Sequence, residues 1–389
     1  MSEWKTYRLG DICQVLNGRA YKQEELLNQG PYPVLRVGNI LQGNNWYYSD
    51  LELPDDKYCY NGDLLYAWSC GFAPYIWKGK KSIYHYHIWK LKENTQIIDK
   101  LFFYYYLIIH TKYNLGGTHG SVMLHLTKKD FENQTLHLPP LDEQRRIAGI
   151  LGSLDDKIEL NRRLNANLEA QAQALFRSWF VDFEPFRDGP FVDSQLGKIP
   201  QGWKVETLSN LATVIKKGIT PSNSETYSHY SIPAYDDAHF PEKQSGETIK
   251  SGKYIVYNNS ILLSKLNPRI KRLWFIKTAE ENAICSTEFI PIQTKDTELI
   301  SFVFYLIDSD IFYQQALSLV NGATGSHQRF HAEDIMQIPF AWNKDAAIDF
   351  AQKATCFLQK IEDNIRENQT LSALRDTLLP KLMAGEISC

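Results

Sequence analysis

The sequence lacks the features that would place it in a membrane or an oxidising compartment. No apolar run approaches the ~18 residues that a helix needs to cross a bilayer, and no signal peptide opens the chain. The six cysteines of the 389 residues show no Cys-x-x-Cys pairing, which is typical of a reduced protein without a cysteine-bound metal. We therefore expect a cytoplasmic protein that contacts no membrane.

Motifs for nucleotide, cofactor and metal chemistry are also missing. The sequence has no phosphate-binding loop, no dinucleotide-type glycine fingerprint, no His-Glu-x-x-His and no nucleophile elbow. Pro139-Pro140 lies between Leu138 and Leu141, so it lacks the Asn or Asp and the aromatic residue of an amino-methyltransferase site. We predict no catalytic residue, no metal site and no cofactor bound by this chain.

The net charge of the chain is also small. The net charge of −3 does not point to a nucleic-acid ligand, although it does not exclude one, because recognition depends on where the charges lie. Aromatic residues, by contrast, make up 13% of the chain, with Tyr the most frequent. Any binding surface should therefore combine aromatic rings with local clusters of basic residues.

The main positive feature is an internal repeat with an offset of about half the chain. Landmarks recur in the same order: Trp4-Lys5 as Trp203-Lys204, Leu64-Leu65 as Leu262-Leu263, Gly120-Ser121 as Gly325-Ser326 and Leu138-Pro139 as Ile338-Pro339. A period this long indicates two domain-plus-helix units and not a solenoid. Two non-identical copies suggest one physical task performed at two places.

Each copy begins with short apolar runs separated by turn residues, which predicts a mixed α/β domain, and continues into a long helix. We expect an α+β fold made of two such domains, each followed by a helix. The predicted boundaries are 1–137 for the first domain, 138–187 for the central helix, 188–343 for a linker and the second domain, and 344–389 for the distal helix. Within the third segment, Asp188 to Gly202 is rich in Gly and Pro and is predicted to be the linker.

The two long helices carry apolar residues at alternating spacings of four and three, the pattern of a coiled-coil seam. The seam is predicted to comprise Ile147, Leu151, Leu154, Ile158, Asn161 and Leu168 in the first helix, and Leu358, Ile361, Ile365 and Asn368 in the second. Since a whole domain lies between the two helices in the sequence, antiparallel pairing is the simplest way for them to contact each other. The alternative is a long helix that caps a globular core.

Basic residues interleaved with aromatic ones recur at three equivalent places, a combination that suits phosphates and base edges of DNA. The candidate contacts in the first copy are Arg19, Tyr21, Lys78, Lys80, Lys81, His119, Ser121, Lys128 and Lys129. Those in the second are Lys216, Lys217, Thr220, Ser222, Lys265, Arg269, Lys271, Arg272, Gln328, Arg329 and His331. A single such cluster is more often a solvated face, but coincidence at equivalent positions favours two domains that recognise different sequences.

Three stretches resemble the conserved regions of type I restriction-modification specificity subunits. They are Leu138 to Ile147 with Leu154 to Ile158, Leu175 to Pro185 with Gly197 to Trp203, and Leu374 to Ile387. One departure is Pro339 to Asp345, which lacks the Pro-Pro-Leu-x-Glu-Gln element found at Pro139 to Gln144. That difference suggests unequal docking ends for partner subunits.

The resemblance implies a non-catalytic subunit with two target-recognition domains, each recognising half of an interrupted double-stranded DNA target. It implies two methyltransferase subunits that carry S-adenosylmethionine, and motor-nuclease subunits that use ATP and Mg²⁺. The alternative left open by the residues is a structural or adaptor protein, with two aromatic-rich domains that bind protein or carbohydrate on a coiled coil.

Overall fold

The chain folds into two compact units. The computed structural model describes residues 4–43, 45–69, 72–111, 126–320 and 328–387. Unit 1 comprises Met1–Asp156 and Leu371–Cys389, and unit 2 comprises Lys157–Thr370. Each unit therefore contains one globular part of the sequence together with portions of both long helices.

The strands described in unit 1 form three small sheets. They are β1 (Lys5–Arg8), β2 (Cys13–Asn17), β3 (Tyr32–Leu35), β4 (Tyr47–Ser49), β5 (Tyr58–Cys59), β6 (Leu64–Ala67), β7 (Ala73–Ile76), β8 (Ser82–Tyr84), β9 (Ile88–Glu93) and β10 (Thr135–Leu138). The sheet orders are β1-β10, β2-β9-β6-β7 and β4-β3-β8-β5. Strands β3 and β8 run parallel.

The strands of unit 2 repeat this arrangement and add a hairpin. They are β11 (Phe191–Ser194), β12 (Gly197–Pro200), β13 (Lys204–Thr207), β14 (Ala212–Val214), β15 (Gly218–Ile219), β16 (Thr226–Tyr230), β17 (Glu242–Ser245), β18 (Lys253–Ile255), β19 (Ser260–Ser264), β20 (Leu273–Ile276), β21 (Ala283–Ser286), β22 (Phe289–Thr294) and β23 (Pro339–Trp342). The orders β13-β23, β14-β22-β19-β20 and β17-β16-β21-β18 match those of unit 1, with β15 added beside β18. The parallel pair recurs as β16 and β21.

Two helices of 40 residues dominate the helical content. The helices are α1 (Leu9–Ile12), α2 (Val37–Gln42), α3 (Lys100–His110), α4 (Lys128–Asn133), α5 (Leu141–Phe180), α6 (Leu208–Leu211), α7 (Ile232–Ala238), α8 (Ile300–Asp308), α9 (Asp310–Ser318), α10 (Ala332–Met336) and α11 (Lys344–Met383). Helix α11 begins at residue 344, the boundary predicted from the sequence, whereas α5 begins three residues after the predicted boundary at residue 138. Across the described residues, no helix combines the length and apolarity needed to cross a bilayer.

Each unit buries apolar faces of both long helices in its own core. In unit 1, Leu151 of α5 and Leu382 of α11 pack with Phe103 of α3. In unit 2, Phe176 of α5 and Phe350 of α11 lie 5.4 Å apart, ring centroid to ring centroid. Burying one large apolar side chain contributes about 1.5–3 kcal/mol, so these faces anchor the helices in each unit.

The start of α5 is fixed by one buried glutamine. The Gln144 amide donates to the carbonyls of Ile97 at 3.0 Å and Pro139 at 2.8 Å, and its oxygen accepts from the Asp99 amide at 2.9 Å. Helix α11 begins differently, with the Asn343 side chain accepting from the Ala346 amide at 3.0 Å. The missing Pro-Pro-Leu-x-Glu-Gln element in the second copy thus corresponds to a different way of starting the helix.

The segment predicted to be a linker is instead structured. Strands β11 and β12 pair as an antiparallel hairpin, and Ile199 is buried in the core of unit 2. Gly197 and Gly202 adopt positive φ angles of 90° and 88°, which glycine tolerates without a steric cost. The glycines were correctly recognised as turn residues, but the turns belong to a packed hairpin.

Asparagines link the two long helices inside unit 2. The Asn161 amide donates to Asn368 Oδ1 at 2.9 Å and to Glu367 Oε2 at 2.7 Å. Four residues further along α5, Asn165 Oδ1 accepts from Asn364 Nδ2 at 2.7 Å. The partner numbers fall as the α5 numbers rise, so these segments of α5 and α11 run in opposite directions.

Candidate nucleic-acid interface

In unit 1, the carboxyl ends of the parallel strands β3 and β8 bring polar and aromatic residues to one sheet edge. Arg36 follows β3, and the turn His85-Tyr86-His87 follows β8. The His85 amide donates to the carbonyl of the last residue of β3 at 2.9 Å. We call these four residues, together with Trp68, edge 1.

Trp68 ties the aromatic part of edge 1 together. Its backbone amide donates to the His87 carbonyl at 3.1 Å, and its indole Nε1 donates to the Tyr86 carbonyl at 2.8 Å. The indole also stacks on Trp89, with ring centroids 5.6 Å apart. Tyr86 is 41% exposed, so edge 1 presents aromatic surface to an incoming ligand.

Burial makes His85 a neutral group. Desolvation, followed by the neighbouring His87 and Arg36, lowers the pKa of His85 to about 4. A neutral imidazole offers one donor and one acceptor nitrogen and carries no charge. Such a group suits the hydrogen-bonding edge of a base better than a phosphate.

The sequence pattern placed Trp68 and the run from His85 to His87 in an aromatic and basic cluster suited to DNA, but the individual contacts were not assigned to them, and Arg36 was missed. The aromatic run around Tyr86 was visible, but the contacts were assigned to its basic neighbours. Arg36 carries one usable signal, since it directly follows a short apolar strand. The pairing of β3 with β8 spans about fifty residues of sequence, and no local pattern predicts it.

The predicted contacts Arg19 and Tyr21 lie beside edge 1 but are engaged within the protein. The Arg19 guanidinium donates to both carboxylate oxygens of Glu25, at 2.6 and 3.0 Å, and this bond lowers the pKa of Glu25. The Tyr21 hydroxyl donates to the Tyr84 carbonyl at 3.3 Å. A DNA contact by Arg19 would have to compete with the Glu25 carboxylate.

The predicted lysines of unit 1 divide into free and engaged groups. Lys78, Lys80 and Lys129 are exposed and form no ion pair with any described residue. The Lys81 ammonium lies 3.9 Å from the ring centroid of Tyr58, and Lys128 Nζ donates to the Val15 carbonyl at 2.9 Å. His119 and Ser121 lie outside the described residues.

Unit 2 places a different set of side chains at the equivalent edge. Lys265 follows β19 as Trp68 follows β6, and its amide donates to the Glu288 carbonyl at 2.9 Å. Arg329 Nε donates to Glu288 Oε2 at 3.1 Å. Gln328 adjoins this group, which we call edge 2 (Lys265, Glu288, Gln328 and Arg329).

The two edges share a backbone arrangement and differ in chemistry. In each, the residue after one strand (β6 or β19) donates its amide to the carbonyl of the residue just before the strand paired with it (β9 or β22). Edge 1 fills these positions with Trp68 and His87, whereas edge 2 fills them with Lys265 and Glu288. Sequence reasoning found three members of edge 2 and missed Glu288, because a carboxylate does not resemble a DNA contact.

The remaining loop candidates of unit 2 are mostly exposed. Lys216 Nζ lies 3.7 Å from Glu333 Oε1. The Lys217 carbonyl accepts from the amide of the last residue of β18 at 2.9 Å. Ser222 uses its amide to donate to a tyrosine hydroxyl at 3.0 Å. The exposed side chains are those of Lys216, Lys217, Thr220, Ser222 and His331.

The cationic cluster at 269–272 separates into one free and two structural residues. Arg272 is 7% exposed and binds both carboxylate oxygens of Asp236 at 2.6 and 2.8 Å. Lys271 Nζ lies 2.7 Å from Asp308 Oδ1. Arg269 is exposed and forms no ion pair within the part of the chain that the structure describes. Only Arg269 of the three offers an uncommitted charge.

The predicted seam residues lie along the inner faces of α5 and α11, with different degrees of burial. Ile147, Leu151, Ile158, Asn161, Leu358 and Ile361 are buried, and Leu154, Leu168, Ile365 and Asn368 are half-buried. Asn364 is fully buried at 0% exposure and was missed. Its position three residues after Ile361 and four before Asn368 was the signal available.

Comparison with known proteins finds relatives that match along this chain. Residues 1–170 match the type I restriction modification DNA specificity domain. The HindI specificity subunit of Haemophilus influenzae is 25% identical over the whole of both chains. The MjaVIII specificity subunit of Methanocaldococcus jannaschii is 24% identical, over 99% of this chain and 93% of that protein. This chain is therefore similar to type I specificity subunits over its whole length.

A solved specificity subunit shares the fold. The type I restriction-modification S subunit from M. genitalium aligns with a TM-score of 0.59 and 15% identity. The alignment covers 98% of this chain and 96% of that one. The mixed helix and strand content with a long helix is thus common to this chain and its structural relative.

Proposed function

We propose that this chain is the DNA specificity subunit of a type I restriction-modification complex, non-catalytic alone, with one target-recognition domain in each unit. The observation that supports this proposal most directly is that edges 1 and 2 share a backbone arrangement and bear different side chains. Recognition of two unlike half-sites requires this combination of a constant framework and variable contacts. The family match supports this interpretation and lends no support to the adaptor alternative.

The contacts to DNA divide by chemistry. Exposed cations without an ion pair, such as Lys78, Lys80 and Arg269, suit phosphates, which position a protein without specifying sequence. The imidazoles of edge 1 and the Lys265 and Gln328 side chains of edge 2 suit base edges. A DNA contact by Arg329 would have to compete with the Glu288 carboxylate. Arg272 and Lys271 support the fold through their carboxylate partners, so the proposed DNA surface omits them.

We infer that α5 and α11 pair as an antiparallel coiled coil that sets the spacing between the half-sites. The opposite direction of the Asn161–Asn368 and Asn165–Asn364 contacts supports this pairing. Polar residues at a seam tend to fix register at some cost in stability. At ~1.5 Å per residue, a helix of this length extends for roughly 60 Å.

The proposed partners are two methyltransferase subunits, which carry S-adenosylmethionine, and motor-nuclease subunits, which use ATP and Mg²⁺. Supporting residues lie on the helices away from the seam: Leu160 is 56% exposed, Leu164 36% and Leu374 45%. Exposed leucines at helical spacing are typical of a surface that a partner covers. No group of this chain is assigned to the methyl-transfer or cleavage chemistry.

A salt-dependent binding titration tests the DNA function. The purified chain with its methyltransferase partner should bind DNA that carries its methylation target, and log K should fall linearly with log salt concentration. Removing one phosphate contact, as in Lys80→Ala, should lower the slope by about 0.9. Binding that is absent, or insensitive to salt, would exclude a DNA-specificity subunit and favour the adaptor alternative.

A further inference from the structure

Unit 2 contains a cavity with a volume of about 240 Å³ that the DNA-recognition proposal does not use. Its walls come from the recognition domain and from both long helices. The lining includes the aromatic residues Tyr235, Trp274 and Tyr305, together with Ile361 of α11 and Glu169 of α5. An occupant would therefore touch the domain and both helices at once.

Tyr305 points to a missing ligand group. The residue is 1% exposed, it lines the cavity, and its hydroxyl has no hydrogen-bond partner among the described residues. Burial, with Asp308 and Glu169 nearby, raises the pKa of Tyr305, so the hydroxyl keeps its proton. A buried hydroxyl without a partner is unfavourable, and a polar ligand group beside it would remove that cost.

The charges that line the cavity leave one carboxylate uncompensated. Lys271 pairs with Asp308 at 2.7 Å, and Arg366 pairs with Glu362 at 3.3 Å. Glu169 lines the cavity, is exposed, and forms no ion pair with any residue that the structure describes. The cavity thus combines aromatic rings with one unpaired negative charge, the environment that favours an organic cation.

The internal repeat shows which cation chemistry such a place accepts. Tyr105 occupies in α3 the position that Tyr305 occupies in α8. Its hydroxyl donates to Asp155 Oδ2 at 2.7 Å, and Arg375 Nη1 donates to Asp155 Oδ1 at 2.6 Å. In unit 1 the Arg375 guanidinium therefore binds the same carboxylate as the tyrosine hydroxyl. In unit 2 a cavity lies beside the corresponding tyrosine.

We propose that the unit 2 cavity binds a small organic cation, an alkylguanidinium or alkylammonium molecule. The charged end contacts the Glu169 carboxylate and the Tyr305 hydroxyl, while the aliphatic chain lies against Trp274 and Ile361. This site is independent of the proposed DNA function, because none of its residues belongs to edge 2.

Calorimetry on the full chain with butylguanidinium tests the site. Saturable binding at one site is expected, and butylurea, the neutral isostere, should bind at least tenfold more weakly because it lacks the charge. Glu169→Gln and Tyr305→Phe should each weaken butylguanidinium binding about five- to tenfold. Tyr105→Phe is the matched control in unit 1 and should leave the dissociation constant unchanged.

Several outcomes would overturn the proposal. They are absence of saturable binding, equal affinity for butylurea, or unchanged affinity in both cavity variants. Tighter binding of N-acetyl-arginine methylamide than of butylguanidinium would show instead that the occupant is an arginine side chain of a protein. Because Tyr305 has no hydrogen-bond partner to lose, Tyr305→Phe should melt at or above the wild-type temperature, so its binding result will not reflect misfolding.

Discussion

The asparagine contacts between α5 and α11 give the sharpest prediction about stability. Asn161 is 1% exposed and donates one bond to Asn368 and one to Glu367. The neutral bond should contribute about 1 kcal/mol. The Glu367 side chain is 41% exposed, so the charged bond is screened and contributes about 1 kcal/mol as well. Asn161→Ala should therefore lower the free energy of unfolding of unit 2 by roughly 2 kcal/mol.

A double-mutant cycle measures the pairwise part of this effect. Urea unfolding of wild type, Asn161→Ala, Asn368→Ala and the double variant, followed by circular dichroism, should give a coupling energy of about 1 kcal/mol. Asn161→Leu with Asn368→Leu removes both polar partners, so that pair should be no less stable than wild type. A coupling energy near zero, or a single Asn161→Ala variant as stable as wild type, would refute the assigned contact.

Three further predictions concern the recognition surface, its pH response and the helix spacing. Arg269→Ala should reduce the salt slope of DNA binding by about 0.9. By contrast, Arg272→Ala should keep the slope and lower the free energy of unfolding by roughly 1–3 kcal/mol, because it breaks a bidentate bond to Asp236. Equal salt slopes for Arg269→Ala and wild type would contradict the assignment of Arg269 to the DNA surface. The folded state keeps His85 neutral while the unfolded chain takes up a proton, so the free energy of unfolding should fall as pH drops from about 6.5 towards 4, by about 2 kcal/mol at pH ~5. In His85→Gln this part of the pH dependence should be lost. If His85→Gln and wild type lose stability equally on acidification, the imidazole is not held neutral by burial. Deleting one turn from α5 and one from α11 should shorten the gap between half-sites in methylation mapping, and an unchanged gap would exclude the helices as the spacer.

The long helices were predictable because their signal is local and repeated. The four-and-three spacing over forty residues predicted a long helix whose boundary lies within three residues of the start of α5. The same spacing drew attention to Asn161 and Asn368, which the structure joins by a hydrogen bond. Alignment of the two repeats places Asn364 opposite Lys157 of the first helix, which is not a seam residue. The repeat therefore did not identify Asn364 as part of the seam.

The recognition edges were less predictable because they depend on pairings between distant strands. Edge 1 exists because β3 and β8 run parallel, and no short motif encodes that pairing. For the same reason, sequence reasoning could not detect that Arg272 meets Asp236, 36 residues away. Clusters of basic residues in the sequence did not separate cations with a carboxylate partner from cations without one.

Mapping of methylated adenines tests the central claim most directly. A host that expresses this chain with its methyltransferase partner should methylate one interrupted sequence with two half-sites. His87→Ala should relax the specificity of one half-site only, and Lys265→Ala should relax the other only, because the two residues lie on edges 1 and 2. Methylation of an uninterrupted sequence, or a change in both half-sites from either single substitution, would contradict the account of one framework that carries two specificities.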